Sequence, residues 1–562
     1  MIFTFYNGLT PYYKKTYFLI FYIFSCSSFI NAYATPRHNS IEEDLFKDIP
    51  VVLSVTRLEQ PVTHAPAAVT IIDRDMIEAS GARTIPELLR HVPGFYVGYD
   101  ENDLPVTTYH GFAEIYARRI QILVDGRSVY QPSFFGVTWA DLPLIIEDID
   151  RIEVIRTPNT ASYGANAFLA TISIHTKKPP ENKQTYFKTL YGKYDERRFV
   201  AKYGDQQGNL NYRLSLAFEK DDLYGHIESL PENERRFDRR RFTTLTANST
   251  YRATTNDQII ANFGVLKGVS GEGNFSGPSA YAEIYDARVL SHYEQLKWEH
   301  KIAADNDISI QLYHNSHDRD DNYIELTDLN YPGPLNQDIK TERYDVELVH
   351  RFAPFTNTRM VWGVNSRWDE VDSIHFFLST NPAKYSMRRA FTNIEWQPAH
   401  WITSNLGIMH ENNSFTGSDT SPRLGINLSI NPRHTLRFIH SKATRVPSTI
   451  EELADRQYCL DPPACTTYFP DWLGNPNVRA EKIISKEIGY HIIFGNNSSI
   501  DLKGYRDTMK DILFYDTSSG RLSFINGDDV EISGFEIETD YRPDSKTRLH
   551  LSYADTDIDY KG

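Results

Sequence analysis

From Gln184 to the last residues the chain is written with a period of two. In NLNYRLSLAF, Tyr212, Leu214, Leu216 and Phe218 alternate with Asn211, Arg213, Ser215 and Ala217, which puts an apolar row on one face of a strand and a polar row on the other. About 17 such runs follow one another, among them QTYFKTLYGK, DISIQLYHNSHD, TRMVWGVNSRWDEV and TRLHLSYADTD. Short polar turns (DQQG, ATTN, AADN, APFTN, NPRH, GNNS, RPDSK) alternate with long connections (Asp221 to Asp238, Gly268 to Arg288, Asp318 to Asp338, Val446 to Arg479). One end of the sheet therefore carries tight turns and the other large loops. A soluble sandwich has no reason to sort its loops this way, whereas a transmembrane antiparallel β-barrel does. The apolar rows then face lipid and the polar rows the lumen, and closure of the sheet satisfies the backbone where water is absent.

Residues 61–178 follow a different, mixed α/β pattern. AAVTIIDRDMI reads as a strand and a turn at Asp73, TIPELLRHVPG as a short helix opened by Thr84 and closed at Pro93-Gly94, and RIQILVDGRSV as two strands around Asp125-Gly126. This predicts a small globular domain ahead of the barrel.

The first residues add a third pattern. Lys14 and Lys15 precede the apolar run TYFLIFYIFSCSSFI and the small-x-small sequence Ala32-Tyr33-Ala34, which predicts a signal peptide cleaved after Ala34. The run is short for a spanning helix, which needs about 20 residues. The net charge of −15 excludes a nucleic-acid partner, and the 13% aromatic content suits β-structure at an interface. Of three cysteines, Cys26 falls in the segment to be removed. Cys459 and Cys465 stand in CLDPPAC, where export permits a disulfide and the spacing equally permits two free thiols. A metal site would need more ligands than this stretch offers. GVSGEGNFSG, Gly268 to Gly277, is glycine-rich but no helix follows it, so a loop is the better reading than a nucleotide site. With no zinc-protease helix and no nucleophile elbow, no catalytic residues, metal or cofactor are predicted, and the protein is expected not to be an enzyme.

Four stretches then carry a family resemblance: PAAVTIIDRDMIEASGARTIPELLRHVPGFYV; RIQILVDGRSVY with DIDRIEVIRTPNTASYGANAFLATISIHTK; SPRLGINLSINPRHTLRFIHSKATRVPSTIEEL with GNPNVRAEKIISKEIGY; and NGDDVEISGFEIETDYRP. In content and order they resemble the TonB-dependent outer-membrane receptors. The resemblance implies a signal peptide at 1–34, a lead at 35–60, a plug domain at 61–178 lying in the lumen, and a barrel at 183–562. It implies about 22 strands where about 17 are legible, so the sequence is expected to be truncated at its C-terminus. The implied function is energised import in the outer membrane, with TonB as partner, lipid around the wall and a small-molecule nutrient such as a metal chelate as cargo. A ferric siderophore is the family's commonest cargo, with cobalamin, heme and sugar as alternatives. No histidine stands between Ser448 and Gly474, against heme. A passive pore or adhesin without energy coupling is the competing reading.

The resemblance also points to residues. A TonB box, an extended segment able to add as a strand to TonB, is placed at Ile49, Pro50, Val51, Val52, Leu53, Ser54, Val55 and Thr56, where a plain first plug strand is the alternative. A plug-to-wall ionic latch is expected from Arg156, Glu487 and Glu536, with His110 standing where the family usually has a second arginine. Ligand contacts are expected from Tyr96, Tyr99, Tyr130, Phe134, Phe135 and Trp139 on the plug and from Tyr468 and Trp472 in the loop after Arg445. Residues 149–177 are then the plug's closing strands, with Ser162 to Asn166 a tight small-residue turn.

Overall fold

The computed structural model describes residues 51–561 apart from 100–104, 113–116, 135, 194, 223–238, 273–284, 327–331, 460–465, 467, 496–497 and 545. A single antiparallel sheet of 17 strands runs in chain order from Gln184–Tyr191 to Leu549–Lys561, each strand pairing with the next long strand along the chain. Among the described residues the first and last of these strands pair on one side only.

The two faces follow the period-two pattern. Leu214, Leu216 and Phe218 are 40–47% exposed on the outer face, while Asn211, Arg213, Ser215 and Ala217 are buried on the inner one. The same inversion of the usual soluble arrangement recurs around the wall: Trp362, Trp368, Leu406 and Ile488 look outward, whereas Asn365, Asp369, Asn405 and Glu487 look in. At one end the connections are short, as at Gly208-Asn209 or between Ala303 and Asn306. The opposite end carries the long connections, and three of them hold hairpins that the pattern alone does not reveal: Asn322–Leu326 with Pro332–Asn336, Asp455–Cys459 with Tyr468–Leu473, and Leu513–Asp516 with Ser523–Asn526. Two connections at this end are short, Tyr191 to Arg197 and Asn413 to Gly417.

The α/β domain fills the space inside this wall. Its five-stranded sheet has the order Val69–Ile72, Ile149–Ile155, Ala170–Thr176, Ile120–Val124, Arg127–Ser128, and its one parallel pairing joins Ile120–Val124 to Ala170–Thr176. What the sequence shows as a turn at Asp73 is a helix start: the Asp73 carboxylate accepts from the Met76 N–H and caps Arg74–Ser80, which ends on Gly81 in the left-handed region. The second helix, Ile85–Leu89, begins at Thr84 as expected. Asp125 and Gly126 both hold positive φ, the geometry that joins two strands with the natural twist. Ile72, Leu88, Leu89, Ile122, Ile152, Val154, Ile172 and Ile174 form the domain's core, and Ile483, Met509, Val530 and Ile532 of the wall pack into the same cluster. Between the two closing strands the small-residue segment holds one helical turn, Thr160–Tyr163, ended by Gly164 at φ 78°.

Candidate functional site: the plug-to-wall contacts

Arg156 follows the strand Ile149–Ile155 and is fully buried at the inner face of the wall. Its Nη1 donates to Glu536 Oε2, its Nη2 donates to Glu538 Oε2 at 2.7 Å, and Asp501 lies 3.6 Å away. Glu536 is the hub. Its other oxygen accepts from the Tyr109 hydroxyl at 2.5 Å and lies 2.7 Å from His110 Nε2. Burial first, and then the Glu536 charge, push the Tyr109 phenol well above its ordinary pKa, which keeps it a donor. The His110 ring is sandwiched between Tyr109 and Tyr505, at centroid distances of 3.7 and 4.0 Å. Lys503 Nζ completes the cluster, donating to the Tyr109 hydroxyl at 3.0 Å and to the Arg156 carbonyl.

Of the four residues expected at a latch, the structure brings Arg156, His110 and Glu536 together directly. Glu487 meets the neighbouring residue instead, accepting from Thr157 Oγ1 at 2.9 Å, with Lys503 at 3.9 Å. Tyr109, Lys503, Asp501 and Glu538 are members that sequence reasoning missed.

A second network, missed altogether, lies nearer the loop end. Arg118 and Arg119 of the plug reach Glu451 and Glu481 at 2.9 and 2.7 Å, and Arg445 of the wall bridges the same two carboxylates at 2.9 and 2.8 Å. All five side chains are buried. Glu451 also belongs to a capping box with Ser448 that starts the helix Thr449–Leu453, so plug, wall and loop helix share one carboxylate. The signal was present in TRVPSTIEEL, in RAEKI and in the Arg118-Arg119 pair, but spacing did not say that these segments meet. Beside it Glu452 has its carboxyl pushed up to about 7, by burial and then by the Glu451 charge.

Ile49 and Pro50 lie outside the described residues. Val51–Val52 pairs with Gln60–Pro61, and Val52, Ser54, Val55 and Thr56 are buried. Ser54 Oγ donates to Glu153 at 2.5 Å, its carbonyl accepts from Asn159 Nδ2 at 3.4 Å, and the Val55 carbonyl accepts from Ser162 Oγ at 2.8 Å and Arg423 Nη1 at 3.0 Å. The segment is thus tied both to the closing strands of the plug and to the wall.

The aromatics divide. Tyr96 is 63% exposed. Tyr99 leans on helix Ile85–Leu89, its hydroxyl 3.3 Å from Glu87. Tyr130 and Trp139 are buried rather than on an open face: the Tyr130 hydroxyl donates to the Arg118 carbonyl at 3.1 Å, and Trp139 packs in the plug core. Phe134 and Trp472 both pack on Phe376, at centroid distances of 5.3 and 5.9 Å, in a cluster at the loop end. Phe135 and Cys465 lie outside the described residues, as do the side chains of Cys459 and Tyr468, whose backbones form part of the loop hairpin.

A barrel wall with a domain docked inside it by buried arginine–carboxylate contacts defines a plugged receptor. The model for "TonB dependent receptor-like, beta-barrel" matches residues 155–562 and that for "TonB-dependent Receptor Plug Domain" residues 61–171, and the chain belongs to the TonB-dependent receptors. Its similar curated proteins include the "Vitamin B12 transporter BtuB" of Vibrio cholerae, 22% identical over 87% of this chain and 75% of that protein. The "Iron-regulated outer membrane virulence protein" of the same species is 24% identical over 83% of this chain and 69% of its own. Among solved structures, the siderophore receptor PirA from Pseudomonas aeruginosa superimposes with a TM-score of 0.66 at 16% identity, covering 88% of this chain and 85% of PirA. A mutant of the ferric enterobactin receptor PfeA from the same species gives 0.72 at 14%, covering 88% of this chain and 80% of PfeA. The family is one of receptors and transporters, not enzymes.

Proposed function

We propose that the protein is an outer-membrane importer that binds a ferric siderophore outside the cell and admits it when the inner-membrane TonB complex displaces the plug. The organisation that goes with this reading is a signal peptide at 1–34, a lead at 35–60, the plug at 61–178 and the barrel from 183. The observation that carries it is the manner of docking. Buried ion pairs such as Arg156–Glu536 repay little more than their own desolvation, but losing one partner is costly. They hold register firmly and release as a unit. In this role Arg156, His110, Glu536 and Glu487 with Thr157 form the latch, Val51 to Thr56 is the segment TonB captures, and Tyr96, with Phe134 and Trp472 at the loop end, contributes to cargo contact.

The relative named as iron-regulated supports the siderophore reading. Cobalamin is the second reading, favoured by the relatives named as vitamin B12 transporters. The deciding experiment is growth of a gene-deletion strain on a panel of ferric siderophores, heme and cobalamin, with and without TonB. Loss of growth on one ferric siderophore, reproduced by TonB deletion, is the expected result. A defect confined to cobalamin overturns the cargo, and uptake that persists without TonB overturns energy coupling.

A further inference from the structure

On the outer face of the wall, away from the plug, His292, Glu294 and His314 bring their ligand atoms within 4.8 Å of one another. Glu294 and His314 are directly opposed on the adjacent strands Tyr285–Ala303 and Asn306–Asp320, and His292 precedes Glu294 by two residues on the same face. Glu294 faces both imidazoles: Oε1 is 3.0 Å from His292 Nδ1 and Oε2 is 2.8 Å from His314 Nδ1. The far nitrogen of His314, Nε2, is 2.5 Å from Glu342 Oε2 on the next strand. Tyr344 stacks on the His314 ring at 4.6 Å and fixes its plane. Glu342 is in turn held by Lys340 at 2.9 Å and Ser316 at 3.1 Å.

The His314 ring thus turns Nε2 to Glu342 and leaves Nδ1 as the nitrogen that faces Glu294. A carboxylate behind a histidine is the usual support of a metal ligand, because it fixes the tautomer and raises the basicity of the coordinating nitrogen.

We propose that His292, Glu294 and His314 form a three-ligand site for a divalent transition-metal ion of the zinc class, with Glu342 as the supporting carboxylate and the fourth position open to the surroundings. Two imidazoles and a carboxylate are a donor set that zinc takes. Zinc bonds of about 2.0–2.1 Å put tetrahedral ligand atoms about 3.3 Å apart, so the observed 2.8 and 3.0 Å need only a small opening. Glu294, with its side chain 49% exposed, has the freedom to provide it. The site is independent of import: it ties two wall strands together from outside.

The test is calorimetric titration of the detergent-solubilised, chelator-stripped full chain with zinc chloride. The unaltered chain is expected to bind one more equivalent than the His292→Gln/His314→Gln variant, with magnesium in hundredfold excess failing to displace it. Glu342→Gln, which keeps all three ligands, is expected to weaken that equivalent about tenfold. Circular dichroism checks that each variant keeps its sheet, and if the double variant does not, Glu342→Gln carries the comparison alone. Equal zinc binding with and without the histidines, affinity unchanged by Glu342→Gln, displacement by magnesium, or no binding at all would overturn the proposal.

Discussion

Replacing Glu536 by glutamine tests whether the central cluster holds the plug. The change is nearly isosteric, so no cavity opens, but it removes a charge and turns one acceptor oxygen into a donor. Arg156 is fully buried and loses one of its two close carboxylates, keeping Glu538 at 2.7 Å. A lost hydrogen bond to a charged group costs about 1.5–3 kcal/mol, and a buried donor left without an acceptor about 1–3 kcal/mol more. The amide keeps a single oxygen, so either Arg156 Nη1, which faced Oε2, or the Tyr109 hydroxyl, which shared Oε1 with His110, meets the amide nitrogen and is so stranded. The two contributions sum to about 2.5–6 kcal/mol, and the roughly 3–5 kcal/mol found when one partner of a buried pair is removed falls within that range. At about 1.36 kcal/mol per decade, plug undocking should become roughly 150- to 5,000-fold more frequent. Amide hydrogen exchange of the full chain in detergent reads this directly in the peptide Ile149–Ile155, whose strand ends beside Arg156. Exchange there should accelerate by at least two decades while the strand Thr358–Asp372, part of the wall, keeps its rate. Acceleration below about fivefold would mean that apolar packing alone docks the plug, and the latch reading would fail.

Thr157→Ala, which removes the hydroxyl donated to the Glu487 carboxylate, should accelerate the same peptide by about tenfold, matching the lower end of the roughly 1.5–3 kcal/mol for a hydrogen bond to a charged group. Asn159→Ala removes a donor to the Ser54 carbonyl, so proteolysis within Val51 to Thr56 should quicken about five- to tenfold; an unchanged cleavage rate would show that Asn159 does not restrain the segment. Gly164→Ala places a methyl at positive φ, against the Arg389 guanidinium and, at 2.8 Å, the Glu411 carboxylate, and should destabilise the plug by at least the roughly 1–3 kcal/mol of backbone strain, read as a lower melting temperature. Because the Glu452 carboxyl is raised to about 7, the folded loop binds the proton more tightly than the unfolded chain does. The helix Thr449–Leu453 should therefore be most protected from exchange below about pH 4.5, lose protection as pH rises to about 7, and stay level above that, a slope that Glu452→Gln abolishes.

Much of the barrel was legible because a sheet with unlike faces must alternate, as the run from Asn211 to Phe218 does. The strand count survives translation into structure for the same reason. The hairpins inside the long connections were not legible: Leu513–Asp516 and Ser523–Asn526 are only four residues each, too short for a period to register. The helix after Asp73 was hidden by its own cap, since an aspartate that begins a helix also begins a turn. In the site, the motif positions of Arg156 and Glu536 come together across 380 residues. Tyr109, Lys503, Arg118, Arg119 and Glu481 carry no local signature, because their roles depend on which wall strand the plug faces. Tyr130 and Trp139 were misleading for the opposite reason: a large aromatic on a loop-like segment is as useful for packing as for recognition, and only burial separates the two.

The edge position of Val69–Ile72 in the plug sheet has a mechanical consequence. Val69 pairs with Ile155 and Ile72 with Ile152, so the strand's N-terminal end lies beside the residue preceding Arg156. A load arriving along the chain from Val52 therefore enters this antiparallel pair at the same end at which Arg156 anchors it to the wall. Hydrogen bonds in such a pair run across the strands, and loading both strands at one end peels them one after another instead of shearing all together. The first pairing to feel the pull is the one beside the anchor, which makes the edge strand a zip fastener whose slider starts at the lock.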